Sequence, residues 1–258
     1  MKIFMKTAVM ACFAAILAFS GHSNDLTHWY FQRQKDLSQP PGAQEKIDLA
    51  QFSAYYLGDT SNKELYLTFD EGYENGHTEK ILDILLDKGV PAAFFVTKSY
   101  IKENPGLIDR MVAEGHVVGN HTVRHKSSPS LSEAEMVKEL TEVADFFREA
   151  TGAEMPPFFR PPMGEYSERV LAIAQNQGYH TIFWSFAYYD WVQDKQPGKE
   201  AAHKKVTESL HNGAILLLHA VSSSNTEALG GIIDAARERG FEFKSLWELP
   251  GVLGGGII

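Results

Sequence analysis

Leu65-Tyr66-Leu67-Thr68-Phe69-Asp70-Glu71-Gly72-Tyr73 is the stretch on which the reading of this chain turns, because an apolar run of strand length ends abruptly in two carboxylates and a glycine. The run is too short for a core helix, and its Tyr, Thr and Phe suit a pleated surface. Gly72 lets the backbone turn without a side-chain clash. We read the stretch as a strand that delivers Asp70 to a site. An Asp at a strand-helix junction often serves only as a helix cap. Here the helical pattern of Ile81, Ile84 and Leu85 begins several residues later, and a cap is expected closer to Thr78, so the site reading is preferred.

Outward from this strand, short apolar runs alternate with amphipathic segments of helix length, the signature of parallel strands joined by helices. Seven runs are expected as strands, at 65–69, 92–96, 116–119, 158–160, 180–184, 214–218 and 241–243. Helices are expected at 78–88, 107–114, 167–177, 199–210 and 226–239. A further helix starts at Ser132-Glu133-Ala134-Glu135, where Ser132 and Glu135 can form a capping box, and Gly152 ends it. The fold class is α/β, with parallel strands arranged as a barrel. All strands of such a barrel point the same way, so residues just past their C-terminal ends meet on one rim. Asp70 follows the first run, His121 and His125 the third, Arg160 closes the fourth, Asp190 follows the fifth and His219 the sixth. Their convergence is the main evidence for an active site.

His121-Thr122-Val123-Arg124-His125 sets two imidazoles four residues apart, a spacing suited to a divalent metal ion. Two histidines so spaced are by themselves more often incidental. A carboxylate from another strand changes that balance, and Asp70 and Glu71 are candidates. His219 ends the apolar run Leu216-Leu217-Leu218 with a group able to donate a proton near neutral pH. Alone it would read as a core histidine satisfied by backbone. Arg160, between Phe159 and Pro161-Pro162, needs a carboxylate partner, because an unpaired buried guanidinium is very costly. A metal, a carboxylate base and an imidazole acid together point to hydrolysis by activated water. Asp70 and Glu71 are neighbours on one strand and face opposite ways, which disfavours a retaining glycosidase with its two carboxyl groups about 5 Å apart.

A chain of 258 residues with 44% hydrophobic residues can bury a substantial core, and one catalytic domain is expected at 63–250. Residues 1–20 carry Lys2 and Lys6 ahead of an uncharged run ending in small residues, and read as an export signal rather than a membrane anchor. The protein is thus expected to be secreted or in the cell envelope, without a transmembrane segment after cleavage. The single cysteine, Cys12, lies inside that signal, so the exported chain would have no thiol. Residues 21–62 form an N-terminal extension, and 251–258 a glycine-rich tail. Loss of Lys2 and Lys6 takes the formal net charge from -9 to -11, which argues against nucleic acid and anionic membranes as partners.

The motifs Thr68-Phe69-Asp70-Glu71-Gly72, Asn120-His121-Thr122-Val123-Arg124-His125, Arg160-Pro161-Pro162-Met163-Gly164, Tyr189-Asp190-Trp191 and Leu216-Leu217-Leu218-His219, in this order, resemble those of the polysaccharide deacetylases. This family is also called carbohydrate esterase family 4, or the NodB-homology domain. The resemblance implies a distorted (β/α)7 barrel and hydrolysis of an N-acetyl group to an amine and acetate. It implies Asp70 as general base, His219 as general acid, and His121 and His125 as metal ligands. Arg160 would orient Asp70, and Asp190 would support Arg160 and the acid-base arrangement. The Met163 N–H would help hold the oxyanion, with Met163, Gly164 and Trp191 on the substrate side. Zn2+ is the first choice of metal, ahead of Mg2+, Mn2+ and Co2+. Most of the family has a second Asp where this chain has Glu71, and Glu71 is carried as the third candidate ligand.

The longer contexts Glu71-Gly72-Tyr73-Glu74-Asn75-Gly76, 183–191 and 219–229 look like the delta-lactam-forming deacetylases of spore-cortex peptidoglycan, which act on N-acetylmuramic acid and typically have Asn at the position of Glu71. The expected partner is a peptidoglycan glycan strand, met by a monomer. A deacetylase of N-acetylglucosamine in peptidoglycan or a chitin-like glycan is the alternative. So is a non-catalytic glycan-binding protein, although Asp70 and His219 are both retained.

Overall fold

The computed structural model describes residues 21–34, 38–42 and 47–252. The export signal read at 1–20, with Cys12, and the tail beyond Val252 lie outside them. In chain order the elements are β1 (Thr27–His28), β2 (Ala54–Tyr55), β3 (Glu64–Glu71), α1 (Thr78–Lys88), β4 (Ala92–Val96), α2 (Lys98–Glu103), α3 (Pro105–Ala113), β5 (Val117–Asn120), α4 (Glu133–Thr151), β6 (Phe158–Phe159), β7 (Glu165–Tyr166), α5 (Glu168–Asn176), β8 (His180–Ile182), α6 (Lys199–Thr207), β9 (Ala214–His219), α7 (Ser223–Glu238) and β10 (Glu242–Phe243).

The seven expected strands all join one curled parallel sheet, in the order β10-β3-β4-β5-β6-β8, with β9 on the other edge of β3. Beyond β8 the chain meets β9, where the N–H groups of Ser185 and Phe186 donate to the Ile215 carbonyl and Leu217 N–H donates to Phe186. The result is the distorted (β/α)7 barrel. β2 adds a parallel strand beside β8. Two residues carry no readable alternation, which is why sequence reasoning does not find it. The helix α2 is only six residues long, too short to show a helical period, and is marked instead by its cap Thr97, whose Oγ1 accepts from Tyr100 N–H.

Alternation along β3 builds the protein's two inner layers. Leu65, Leu67 and Phe69 pack with Ile81, Leu85 and Ile232 under the helices, whereas Tyr66 packs with Phe95, Ile182 and Ile215 inside the barrel. The same alternation puts Asp70 on the barrel side and Glu71 on the helix side. Ser132 and Glu135 form the reciprocal capping box of α4, and Gly152 closes that helix in the left-handed region at φ 74°. Ahead of the barrel, Trp29, Ile47, Leu49 and Phe52 pack on Tyr166, Leu171 and Phe183. Among the described residues no helix is long and apolar enough to cross a membrane.

Candidate active site

At the C-terminal end of β3, Asp70 Oδ1 accepts from Arg160 Nη1 at 2.8 Å, and Asp70 Oδ2 lies 3.6 Å from His121 Nε2. Arg160 is wholly buried. Its Nε and Nη2 donate to the carbonyls of Ile182 and Phe183 at the end of β8, and its guanidinium lies 4.1 Å from the centre of the Phe95 ring. One face of the Arg is thus stacked and its fork committed. Burial by itself would raise the Asp70 carboxyl, but the charges of Arg160, His121 and His219 and the Arg160 hydrogen bond hold it below the ordinary carboxylate value.

The loop after β5 carries the two other histidines in a strained backbone, with Thr122 at φ 70° and His125 at φ 52°. Asn120 Oδ1 accepts from Thr122 N–H, Thr122 Oγ1 accepts from His125 N–H, and the buried Glu139 of α4 accepts from the N–H groups of Val123 and Arg124. Glu139 also pairs with the Arg124 side chain. These bonds over-determine a conformation that the loop would not adopt alone. The ring centres of His121 and His125 are 4.8 Å apart. His121 Nδ1 meets the Arg160 carbonyl at 2.8 Å. A carbonyl only accepts, so the proton sits on Nδ1 and the Nε2 lone pair is left toward Asp70. Burial, with the charges of His125 and Arg160, pushes His121 down to about 4 against the pull of Asp70, and burial also lowers His125. Two imidazoles kept neutral, one of them oriented by a carbonyl behind it, form a donor set that fits a divalent metal ion.

Glu71 is not brought to this pair. Its side chain is buried on the helix side of β3, neither carboxylate oxygen has a hydrogen-bond partner, and it does not line the pocket. Burial, then the charges of Glu74 and Asp70, raise its carboxyl well above the usual range. Among the described residues no third His, Cys, Asp or Glu completes a ligand set with the two histidines. The side of the strand, set by β alternation, overrides the motif position.

His219 ends β9 directly opposite Asp70. Asp190 holds it twice, accepting from His219 N–H at 3.0 Å through Oδ2 and meeting His219 Nδ1 at 2.7 Å through Oδ1. Asn225 Nδ2 donates to the same carboxylate at 2.6 Å. Asp190 therefore supports His219, and among the described residues it makes no bond to Arg160, contrary to the support expected there. Burial disfavours the His219 cation, but the hydrogen bond and charge of Asp190, with the charge of Asp70, outweigh it and raise the imidazole above its ordinary value. Trp191 packs against the ring at 5.4 Å.

Asp70, His121, His125 and His219 line a pocket of about 860 Å³, with Met163, Gly164, Trp184, Tyr189 and Trp191 on its walls. Met163 and Gly164 adopt left-handed backbone at φ 59° and 66°, and a Cβ on Gly164 would come within 2.9 Å of Trp184 and 3.1 Å of Trp29. Sequence reasoning gave no role to Asn225, Glu139 or Trp29. Only Glu139 leaves a trace, as a carboxylate on the buried face of α4 beside Met136 and Leu140.

The profile of the family described as polysaccharide deacetylase matches residues 57–182. The chain is 39% identical over 253 residues to the peptidoglycan-N-acetylmuramic acid deacetylase PdaA of Bacillus subtilis, covering 95% of this chain and 96% of that protein. It is 46% identical over 229 residues to an uncharacterized 30.6 kDa protein of Geobacillus stearothermophilus, covering 88% of this chain and 86% of that one. The solved structure of Bacillus subtilis PdaA, a family 4 carbohydrate esterase, superposes with a TM-score of 0.85 over 88% of this chain and 97% of that one. A family 4 carbohydrate esterase of Bacillus anthracis, 41% identical, gives 0.74 over the same shares. A barrel that sets a carboxylate paired with arginine opposite an imidazole paired with aspartate, beside two neutral histidines, is joined here to near full-length similarity, and the chain belongs to the polysaccharide deacetylase family of carbohydrate esterases.

Proposed function

We propose that this deacetylase removes the acetyl group of N-acetylmuramic acid residues in peptidoglycan glycan strands. The observation that carries the chemistry is the placement of Asp70 and His219 as register partners across one pocket, with opposite pKa shifts. Asp70 takes a proton from the attacking water, and Arg160 keeps it charged and aimed. The Met163 N–H donates to the oxygen of the acetyl carbonyl as charge develops there. His219, held by Asp190, gives its proton to the departing nitrogen, so the C–N bond breaks to leave an amine and acetate. A divalent metal ion on His121 and His125, zinc as first choice, supplies Lewis acidity when bound.

The muramic acid assignment is supported by the similarity to PdaA and by the extended motifs around Asp70, Trp184 and His219. Arg124 lines the pocket, and its guanidinium fork hydrogen-bonds Glu139 through Nε. The lactyl carboxylate of a muramic acid residue without its peptide is the charge that such a fork would take. The amine exposed by deacetylation lies close to that carboxyl, and the two can close to the six-membered delta-lactam of spore-cortex peptidoglycan. We place the enzyme outside the cytoplasm, exported by residues 1–20. Mass spectrometry of peptide-free glycan strands after incubation tests the reading. Loss of acetyl from muramic acid, followed by loss of water on cyclisation, is expected. Deacetylation confined to N-acetylglucosamine overturns the substrate and leaves the deacetylase.

A further inference from the structure

The Met163–Gly164 turn has only two hydrogen bonds of its own, Gly164 N–H to the Pro161 carbonyl and Glu165 N–H to the Pro162 carbonyl. Met163 and Gly164 are both left-handed, a conformation that non-glycine residues such as Met163 avoid, so something outside the turn must fix it. What touches it comes from the segment ahead of the barrel. Trp29 N–H donates to the Gly164 carbonyl at 2.7 Å, and β1 pairs antiparallel with β7 immediately after the turn, Thr27 opposite Tyr166 and His28 opposite Glu165. The indole of Trp29 donates to the Trp184 carbonyl at 2.9 Å. Its ring stacks on Phe183 with centres 4.5 Å apart and planes at 19°. Phe183 is the residue whose carbonyl accepts from Arg160 Nη2. One residue thus ties the turn to the end of β8, its backbone N–H holding the Gly164 carbonyl and its indole holding Trp184 and Phe183.

We propose that Trp29 is a positioning residue of the active site, a brace from the N-terminal segment that aims the Met163 N–H at the reacting carbonyl. The proposal rests on the reading above that gives this N–H to the oxyanion. Ser23 and Asn24 anchor the brace on its other side: Arg169 N–H donates to the Ser23 carbonyl and Ser167 Oγ donates to Asn24 Oδ1, at the start of α5. The segment therefore spans from a helix N-terminus to the turn, and its helix end is fixed away from the pocket. A brace acting on a transition-state donor leaves a specific kinetic mark. Ground-state binding and metal retention stay, because His121 and His125 sit on a different loop, while turnover falls.

The test is steady-state acetate release from peptidoglycan glycan strands by the full chain carrying Trp29→Ala, Trp29→Phe or Gly164→Ala, with bound metal per chain and circular dichroism measured alongside. Trp29→Ala is expected to lower kcat by about 100-fold with KM within about threefold of wild type and metal content unchanged. Trp29→Phe, which keeps the stack on Phe183 and loses the indole bond, is expected to lower kcat by about tenfold. A folded Trp29→Ala protein with wild-type kcat, or one whose KM and metal content deteriorate along with kcat, overturns the proposal. If Trp29→Ala does not fold, Trp29→Phe decides by the same criteria. Gly164→Ala forces the turn apart from within. If it lowers kcat while the Trp29 variants do not, the oxyanion reading stands and the brace falls. If it leaves kcat unchanged, the oxyanion reading falls and takes the brace with it.

Discussion

Asp70 and His219 are register partners on the adjacent parallel strands β3 and β9, yet their surroundings drive them in opposite directions. Arg160 faces one and Asp190 the other. The carboxyl is held below its ordinary value and the imidazole above. One pH therefore finds Asp70 charged and His219 protonated, the condition that the proposed general acid-base mechanism needs.

The pH dependence of kcat/KM follows from this. In the proposed mechanism the working form of His219 is protonated, so activity persists below its pKa and is lost as pH rises through it. With that pKa raised above the ordinary 6.5, the alkaline limb should lie above that value. Asp190→Asn removes the charge that opposes burial, and the alkaline limb should move to lower pH while the acid limb, set by Asp70, stays. Rate profiles over about pH 4 to 10 check this, and an unmoved alkaline limb would assign that limb to another group.

Replacing Asp70, the proposed base, should have two separable effects. Asp70→Asn should slow acetate release by about 10²- to 10⁴-fold. It also leaves the buried Arg160 guanidinium without its anion, and stability should fall by about 3 kcal/mol, read from denaturant unfolding. Full activity, or unchanged stability, would contradict the pairing as described.

Metal binding separates Glu71 from the two histidines. His121→Ala and His125→Ala should each abolish retention of a divalent ion through dialysis, whereas Glu71→Gln should change affinity by less than about tenfold, because its carboxylate lies outside the pocket. Titration of the metal-free proteins with zinc decides the matter. A larger loss in Glu71→Gln would mean that the carboxylate turns into the site when the ion binds.

Charge recognition at the pocket wall is tested with Arg124→Gln. KM for muramic acid strands with a free lactyl carboxyl should rise by about tenfold, and KM for strands whose lactyl groups are amidated should not change. Metal content, measured in the same samples, reports on the neighbouring histidines. Equal effects on both substrates would make Arg124 a structural partner of Glu139 alone.

Much of the protein was legible before folding. A strand buried on both faces reads as a continuous apolar run, which is why 92–96 was found with both ends in place and β3 was recognised from Leu65. The parallel direction of those strands was enough to collect Asp70, His121, His125, Arg160 and His219 on one rim. Ser132 and Glu135 marked the start of α4 by local hydrogen bonding alone. What escaped was short or remote. β2 is two residues long, and Trp29 acts on Gly164 and Trp184 across more than half the chain.

The sequence by itself determined which side chains could do the chemistry and at which strand ends they stand, because apolar periodicity and motif order are local properties. Tertiary structure decided which of them work together. Asp70 finds Arg160 across 90 residues and His219 finds Asp190 across 29, and both pairings depend on how the sheet curls. The fate of Glu71 lies between the two. Its opposite facing from Asp70 follows from strand alternation, but only the packed barrel shows that its side is the one closed beneath the helices, where the carboxylate is buried and does not line the pocket.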